Sequence, residues 1–180
     1  MYKVSKLIGS GAFGSIYKGS LSDDPSKLVA IKMEPMNARY PQLKLEYKCY
    51  KQLQGINGIA QCYYYGHEGG YRVLVLQYLN TSVSDLFTSN NDYFDTKMVA
   101  YIGINILKIL QKIHERGVLH RDMKPENMMI DEHNNIYLID FGLSKPYIRN
   151  GKIIPLRRGR SLCGTPRYAS INAHRGLQQS

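Results

Sequence analysis

Four side chains in the middle of the chain have the types and spacing that phosphoryl transfer requires. His120-Arg121-Asp122-Met123-Lys124-Pro125-Glu126-Asn127 fits the pattern HRDxxxxN, and Asp140-Phe141-Gly142 begins thirteen residues after Asn127. A transferring phosphoryl group concentrates negative charge, which a hard cation such as Mg2+ neutralises by bridging its oxygens. Mg2+ keeps several waters and takes few protein ligands, all of them oxygen. Asn127 and Asp140 are the candidate ligands. Asp122 is the candidate base, able to orient an attacking hydroxyl and accept its proton. Lys124, two residues on, is within reach of the transferring group.

Two weaker patterns come earlier. Gly9-Ser10-Gly11-Ala12-Phe13-Gly14 fits GxGxxG, a spacing shared by dinucleotide sites and by loops that cover nucleotide phosphates. In the dinucleotide version a helix follows the third glycine, and an acidic residue stands about 20 positions on. Here a β-branched run follows Gly14, and the residue 18 positions later is Lys32. That favours a hairpin over phosphates, although the motif alone is equally a glycine-rich turn with no ligand. Lys32 ends the run Val29-Ala30-Ile31-Lys32. An ammonium beside a phosphate site needs a countercharge to hold it, and Glu46 on the next predicted helix could supply one. The bland alternative is a lysine that reaches solvent along its aliphatic stem. Together the patterns fix about a dozen positions in order and spacing, which coincidence does not supply.

These residues need elements to position them. Ser15–Leu21 and Leu28–Met33 read as strands on either side of the turn cluster Asp23-Asp24-Pro25-Ser26. Pro41 opens a helical pattern with Leu43, Tyr47, Tyr50 and Leu53 on one face. Strand patterns return at Gln61–Tyr65 and Tyr71–Tyr78, joined by the turn Gly69-Gly70. Asp95 or Thr96 is the candidate cap of a long helix. In it Val99, Ile102, Ile106, Ile109, Leu110 and Ile113 recur at helical spacing, and Gly117 stops it. Met128–Ile130 and Ile136–Ile139 read as a hairpin that returns Asp140 to the end where Asn127 stands. The texture changes near Leu79–Ser82, dividing residues 1–78 from 79–180.

The 180 residues are 43% hydrophobic and 21% charged, ordinary for a globular chain and against general disorder. No apolar run approaches the ~18 residues of a membrane span, and the N-terminus lacks a secretory apolar region. Cys49, Cys62 and Cys163 form no CxxC pair, which argues against a zinc site or a disulfide framework. A reducing compartment, cytoplasm or nucleus, is expected. The net charge of +10 is local, because residues 141–180 hold eight basic residues and no acidic one. Such a stretch is either a solvated loop or an attractor of phosphate, acidic peptides or nucleic acid. No nucleic-acid-binding motif accompanies it, so nucleic acid is not the expected partner.

Taken together, these residues resemble the eukaryotic protein kinases, and the catalytic-loop run Arg121–Asn127 is similar to the serine/threonine type. Gly164-Thr165-Pro166-Arg167-Tyr168-Ala169-Ser170-Ile171-Asn172 resembles the casein kinase I family. Gln54–Ile59, Ser82–Phe87 and Asp140–Lys145 are similar to that family as well. The resemblance implies a bilobal α+β fold. Residues 1–78 would form a five-stranded antiparallel sheet with one helix. Residues 79–180 would form the hinge and a helical lobe with the catalytic loop and activation segment. It implies ATP and Mg2+ as cofactors. Gly9, Gly11 and Gly14 would cover ATP, Ile16 and Ala30 would pack on adenine from above, and Met129 from below. Leu76 would be the gatekeeper before the hinge Gln77-Tyr78-Leu79. Lys32 would pair with Glu46, and Tyr50, His120 and Phe141 would stack as an internal spine. Arg167 matches a family position that binds a substrate anion, and the family prefers Ser/Thr targets with acidic or phosphorylated residues upstream.

The family's catalytic domain is longer than this chain, so an incomplete helical lobe is expected. Apolar surface beneath His120–Asn127 would then be exposed, on the order of several hundred Å2, for a partner to cover. Two functional expectations follow: an active casein kinase I-type enzyme, or a shortened kinase-like protein that binds ATP weakly or serves only as a binding module.

Overall fold

The computed structural model describes residues 1–11, 14–149 and 151–178. Ala12 and Phe13 of the glycine motif lie outside the described residues. The chain forms two units, Met1–Gly55 with Ala60–Leu79, and Ile56–Ile59 with Asn80–Ser180.

In the first unit, alternation decides the sheet. The strands are β1 (Tyr2–Gly11), β2 (Gly14–Leu21), β3 (Leu28–Pro35), β4 (Cys62–Glu68) and β5 (Tyr71–Gln77), all paired antiparallel in the order β1-β2-β3-β5-β4. Val29 and Ile31 of β3 face Val73 and Val75 of β5 in a buried cluster that Tyr2, Tyr17, Met33 and Tyr63 cover. Tyrosines suit that position, with an apolar ring inward and a hydroxyl toward water. The intervening residues point to the opposite face, which helix α1 (Leu43–Leu53) covers. α1 buries Leu43, Glu46, Cys49, Tyr50 and Leu53. Burial pushes the Cys49 thiol up to about 11, so it packs as a small apolar group.

Two features of this unit escape local pattern. β1 lacks a readable alternation because Val4, Leu7 and Ile8 are all exposed on an edge strand with two register shifts. The N-terminus of α1 gets no cap from its own neighbour Gln42. Glu34 of β3, fully buried, supplies it instead: Oε1 accepts from the Gln42 and Leu43 N–H groups at 2.6 and 3.1 Å, and Oε2 accepts from Arg72 at 3.1 Å.

The second unit is built on the 20-residue helix α3 (Thr96–Glu115), preceded by β6 (Thr81–Ser82) and α2 (Val83–Ser89). Asp95 caps α3 by accepting from Met98 N at 2.7 Å. Ile102, Ile106, Ile109 and Ile113 form its buried stripe. Val99 was expected in that stripe but is 57% exposed, and Leu110 is only half-buried. Ile104 and Leu107 on the outer side are also open, Leu107 at 68%. After β7 (Val118–Leu119) comes the catalytic-loop region, then the hairpin β8 (Met128–Ile130) and β9 (Ile136–Leu138). Asp131 ties its turn by accepting from His133 N, Asn135 N and Asn135 Nδ2. Gly58 belongs here because its carbonyl accepts from Leu138 N at 2.8 Å, and Ile59 bridges to Leu138. β10 (Lys145–Pro146) pairs with β7; β11 (Ile148–Arg149) pairs with β12 (Lys152–Ile153); α4 (Ile171–His174) closes the described segment. One antiparallel sheet with a single helix, followed by a helix-led unit, is an α+β architecture.

Candidate active site

The first unit gathers most of the residues assigned to the nucleotide. Residues directly opposed across antiparallel strands point to the same face. Gly9 opposes Ile16, Ile16 opposes Lys32, and Ala30 opposes Leu76, so all five share one face. On that face the Lys32 ammonium donates to both Glu46 oxygens at 2.8 Å, and Glu46 is only 2% exposed. The strand lysine therefore does not run out to solvent. The two loop glycines Gly11 and Gly14 have different physical reasons. A Cβ on Gly14, whose φ is +127°, would lie 2.2 Å from the Met33 carbonyl, so the sheet itself demands glycine there. A Cβ on Gly11 would meet nothing within 4 Å, leaving open backbone for something else to approach. Leu79, buried, ends this unit.

The second unit assembles the catalytic loop from below. His120 is buried and its ring meets Phe141 edge-on at 4.9 Å. Its Nδ1 accepts from Asp122 N at 3.3 Å, so the proton sits on Nε2, which donates to the Ile139 carbonyl at 2.8 Å. Burial pulls the imidazole below its ordinary value, against the raising influence of that carbonyl and of Asp140 and Asp122. Arg121 (φ +70°) and Asp140 (φ +64°) both adopt left-handed backbone. For a long side chain such as Arg121 this conformation costs about 1–2 kcal/mol, and the Arg121 Nε bond to Leu143 O at 2.7 Å helps hold it.

Asp122 is the most engaged carboxylate here. One oxygen accepts from Thr165 N at 2.8 Å and Thr165 Oγ1 at 2.7 Å; the other faces Lys124 Nζ at 2.9 Å and Asn127 Nδ2 at 3.2 Å. Burial alone would raise its pKa, but the bonds from Lys124 and Thr165 outweigh burial and hold the carboxyl below the usual carboxylate range. Lys124 also donates to Thr165 Oγ1 at 3.2 Å. The Asn127 amide nitrogen binds the Asp122 carbonyl at 2.8 Å, which turns its own oxygen outward from Asp122. Ile139 N donates to Asn127 O at 3.0 Å, so the hairpin does return Asp140 beside Asn127. Met129 pairs with Ser82 and Tyr137 in the same small sheet and is half-buried.

Thr165 was missed as a site residue, because Gly164-Thr165-Pro166 reads in sequence as a family marker only. Its position depends on Gly164: φ is +96°, and a Cβ there would lie 2.4 Å from the Arg121 carbonyl. Arg121 and Lys145 were missed too. With Arg157 and Arg160 they line a cavity of about 510 Å3 that also touches Ser161 and Cys163. Burial and then the charges of Arg121, Arg157 and Arg160 hold the Lys145 ammonium below the ordinary lysine range. Arg167 lies elsewhere, exposed in a short 3-10 turn with its guanidinium 5.8 Å from the Tyr168 ring centre, and does not line that cavity.

The oxygen donors of Asn127 and Asp140 suit a hard divalent cation. Among the described residues no three His, Cys, Asp or Glu side chains group as a metal cluster. No helix among the described residues is long and apolar enough to cross a membrane.

A sheet with a glycine loop and an anchored Lys–Glu pair, followed by a catalytic loop and Asp-Phe-Gly, defines the protein kinase class. The profile of the protein kinase domain matches residues 2–173, and the chain belongs to that family. Among curated proteins its sequence is similar to casein kinase I homologs. It is 41% identical over 189 aligned positions to casein kinase I homolog RAG8 of Kluyveromyces lactis, covering 99% of this chain. It is likewise 41% identical, over 99% of its length, to casein kinase I homolog 1 of Saccharomyces cerevisiae. The chain spans about a third of either relative, 34% in both cases.

Proposed function

We propose that the protein transfers the γ-phosphoryl group of ATP to serine or threonine hydroxyls of acidic or prephosphorylated proteins. The observation that carries this reading is the state of Asp122: a carboxylate kept ionised, fixed on one oxygen by Thr165 and flanked on the other by Lys124. A substrate hydroxyl oriented by Asp122 gives up its proton to that carboxylate as its oxygen bonds to the γ-phosphorus of ATP, while the bond from that phosphorus to the β–γ bridging oxygen breaks and ADP leaves with the electron pair. The Lys124 ammonium stabilises the charge on the transferring group. Asn127 and Asp140 would hold Mg2+, which when bound neutralises phosphate charge. Gly9, Gly11, Gly14, Ile16, Ala30, Leu76 and Leu79 are assigned to binding ATP, with Met129 assigned to its adenine. Lys32, fixed by Glu46, is assigned to its phosphates.

Substrate choice follows from charge. The cavity of Arg121, Lys145, Arg157 and Arg160 offers guanidinium groups, which pair bidentately with phosphate. Arg167 is a second candidate for the same class of anion. The test is a pair of peptides differing only in an upstream phosphoserine. Arg157→Glu/Arg160→Glu should erase the preference for the phosphorylated peptide, and an unchanged preference would remove the cavity from substrate recognition. The three cysteines are free, as suits a cytoplasmic or nuclear location. In this reading the apolar groove along Leu110, Leu119, Met123, Leu156 and Leu177 is covered in the working enzyme by further polypeptide.

A further inference from the structure

Glu34 is a buried carboxylate, 1% exposed, with no part in the chemistry above. It stands on β3 two residues after Lys32. Side chains alternate along a strand, so both point to the face that α1 covers. The two Glu34 oxygens hold different elements. Oε1 accepts from the Gln42 and Leu43 N–H groups at the start of α1, and Oε2 accepts from the Arg72 guanidinium. Arg72 lies directly opposite Glu34 in the β3–β5 ladder. It also donates to the Pro35 and Met36 carbonyls, at 3.1 and 3.2 Å. The sheet thus fixes the carboxylate on which the helix docks.

α1 therefore meets β3 at two polar points, and their spacings agree. From Lys32 to Glu34 the strand advances about 7 Å. From Gln42 to Glu46 the helix advances about 6 Å. The capped end is bonded to the second point as well, since Glu46 N donates to the Gln42 carbonyl at 3.0 Å. The helix cannot cap itself: Gln42 gives no side-chain bond, and its backbone is helical (φ −119°, ψ −25°) where a capping residue is extended. A helix held only by the Lys32–Glu46 pair can pivot about it. An anionic anchor one turn earlier, at the positive end of the helix dipole, removes that freedom. Both Glu34 oxygens are taken by Arg72 and α1, so on the shared face Glu34 does not compete with Glu46 for the Lys32 ammonium.

We propose that Glu34, backed by Arg72, is a positioning residue for Lys32: its cap at the start of the first turn of α1 holds Glu46, at the end of that turn, against the Lys32 ammonium. That Lys32 then meets ATP phosphates rests on the function proposed above. The docking of α1 does not.

The test is labelling of the full chain with acetic anhydride, with acetylation of Lys32 read by mass spectrometry well below the melting temperature. Two double variants remove the Glu34–Arg72 ion pair as a unit, which leaves no unpaired buried charge. They differ in the capping oxygen. Glu34→Gln/Arg72→Met retains a carbonyl for the Gln42 and Leu43 N–H groups, and its Lys32 should react at the wild-type rate. Glu34→Leu/Arg72→Met has no such oxygen. Its Lys32 should react about tenfold faster, the shift in local opening that loss of a helix cap produces. KM for Mg·ATP should rise in the second double variant and not in the first. Equal Lys32 reactivity in the two would leave the apolar face of α1 to place Glu46, and would overturn the proposal. A first double variant as reactive as Glu46→Gln, in which Lys32 has lost its carboxylate, would overturn it too, and that comparison holds even if the second variant does not fold. Labelling needs no nucleotide. A wild-type chain without phosphoryl transfer would therefore remove the proposed function and still leave the labelling result to decide the role of Glu34.

Discussion

Thr165 donates twice to one oxygen of Asp122, from its backbone N–H at 2.8 Å and from its hydroxyl at 2.7 Å. The same hydroxyl accepts from Lys124 Nζ at 3.2 Å. A residue more than forty positions away thus fixes both groups assigned to the reacting phosphoryl.

Removing that hydroxyl should loosen Asp122 and Lys124 without unfolding the loop, since the Thr165 N–H remains. Thr165→Ala should lower kcat about 10- to 100-fold, the loss expected of one preorganised hydrogen bond, with little change in KM for ATP. Thr165→Ser should restore most of it. Steady-state kinetics on the two variants decide the point, and wild-type kcat in Thr165→Ala would free Thr165 of any role.

The Lys32–Glu46 pair makes a prediction about stability. Glu46 is 2% exposed, so losing the Lys32 ammonium removes a countercharge from a buried carboxylate. Lys32→Met should destabilise the chain by about 3 kcal/mol. Lys32→Met/Glu46→Leu should recover most of that, because an apolar pair replaces a buried ionic one. Urea unfolding of the three proteins measures both. A double variant no more stable than the single would mean the ion pair contributes more than its desolvation costs.

His120 predicts a pH dependence. Its folded-state value lies below the ordinary 6.5. Below that pH the unfolded chain binds a proton that the folded chain refuses, so stability rises with pH there. The contribution is complete above about 6.5 and is lost progressively on acidification. Asp122 acts in a separate window, because its depressed value is lost only below the ordinary carboxylate value of 3.8. Wild type should therefore lose melting temperature between pH 7 and pH 5. His120→Gln, which keeps a donor for Ile139 O but does not titrate, should lose less. Parallel profiles would show that another group governs the acid limb.

Much of this was legible in the residues, for identifiable reasons. β3 and β5 alternate because one face is buried, and the stripe Ile102, Ile106, Ile109 and Ile113 has helical period because one side of α3 is buried. The hairpin returning Asp140 toward Asn127 follows from its turn residues. What escaped was non-local. β1 is an exposed edge without alternation, Glu34 caps a helix eight residues beyond its own strand position, and Val99 obeys the helical period yet faces outward. At the site, Thr165, Arg121 and Lys145 were missed because each owes its place to a segment distant in sequence. Spacing arguments see only neighbours along the chain.

In the proposed function this chain binds Mg·ATP and transfers the γ-phosphoryl group directly to a hydroxyl that Asp122 orients and deprotonates. The most direct measurement is a melt of the purified chain with and without Mg·ATP, followed on the same sample by transfer of labelled γ-phosphate to a prephosphorylated peptide. Ligand binding to the folded state raises the melting temperature. The account predicts a shift and transfer in wild type, and no transfer in Lys32→Ala, Asp122→Asn or Asp140→Asn. Transfer surviving in Asp122→Asn, or a folded wild-type chain that neither shifts nor transfers, would contradict it.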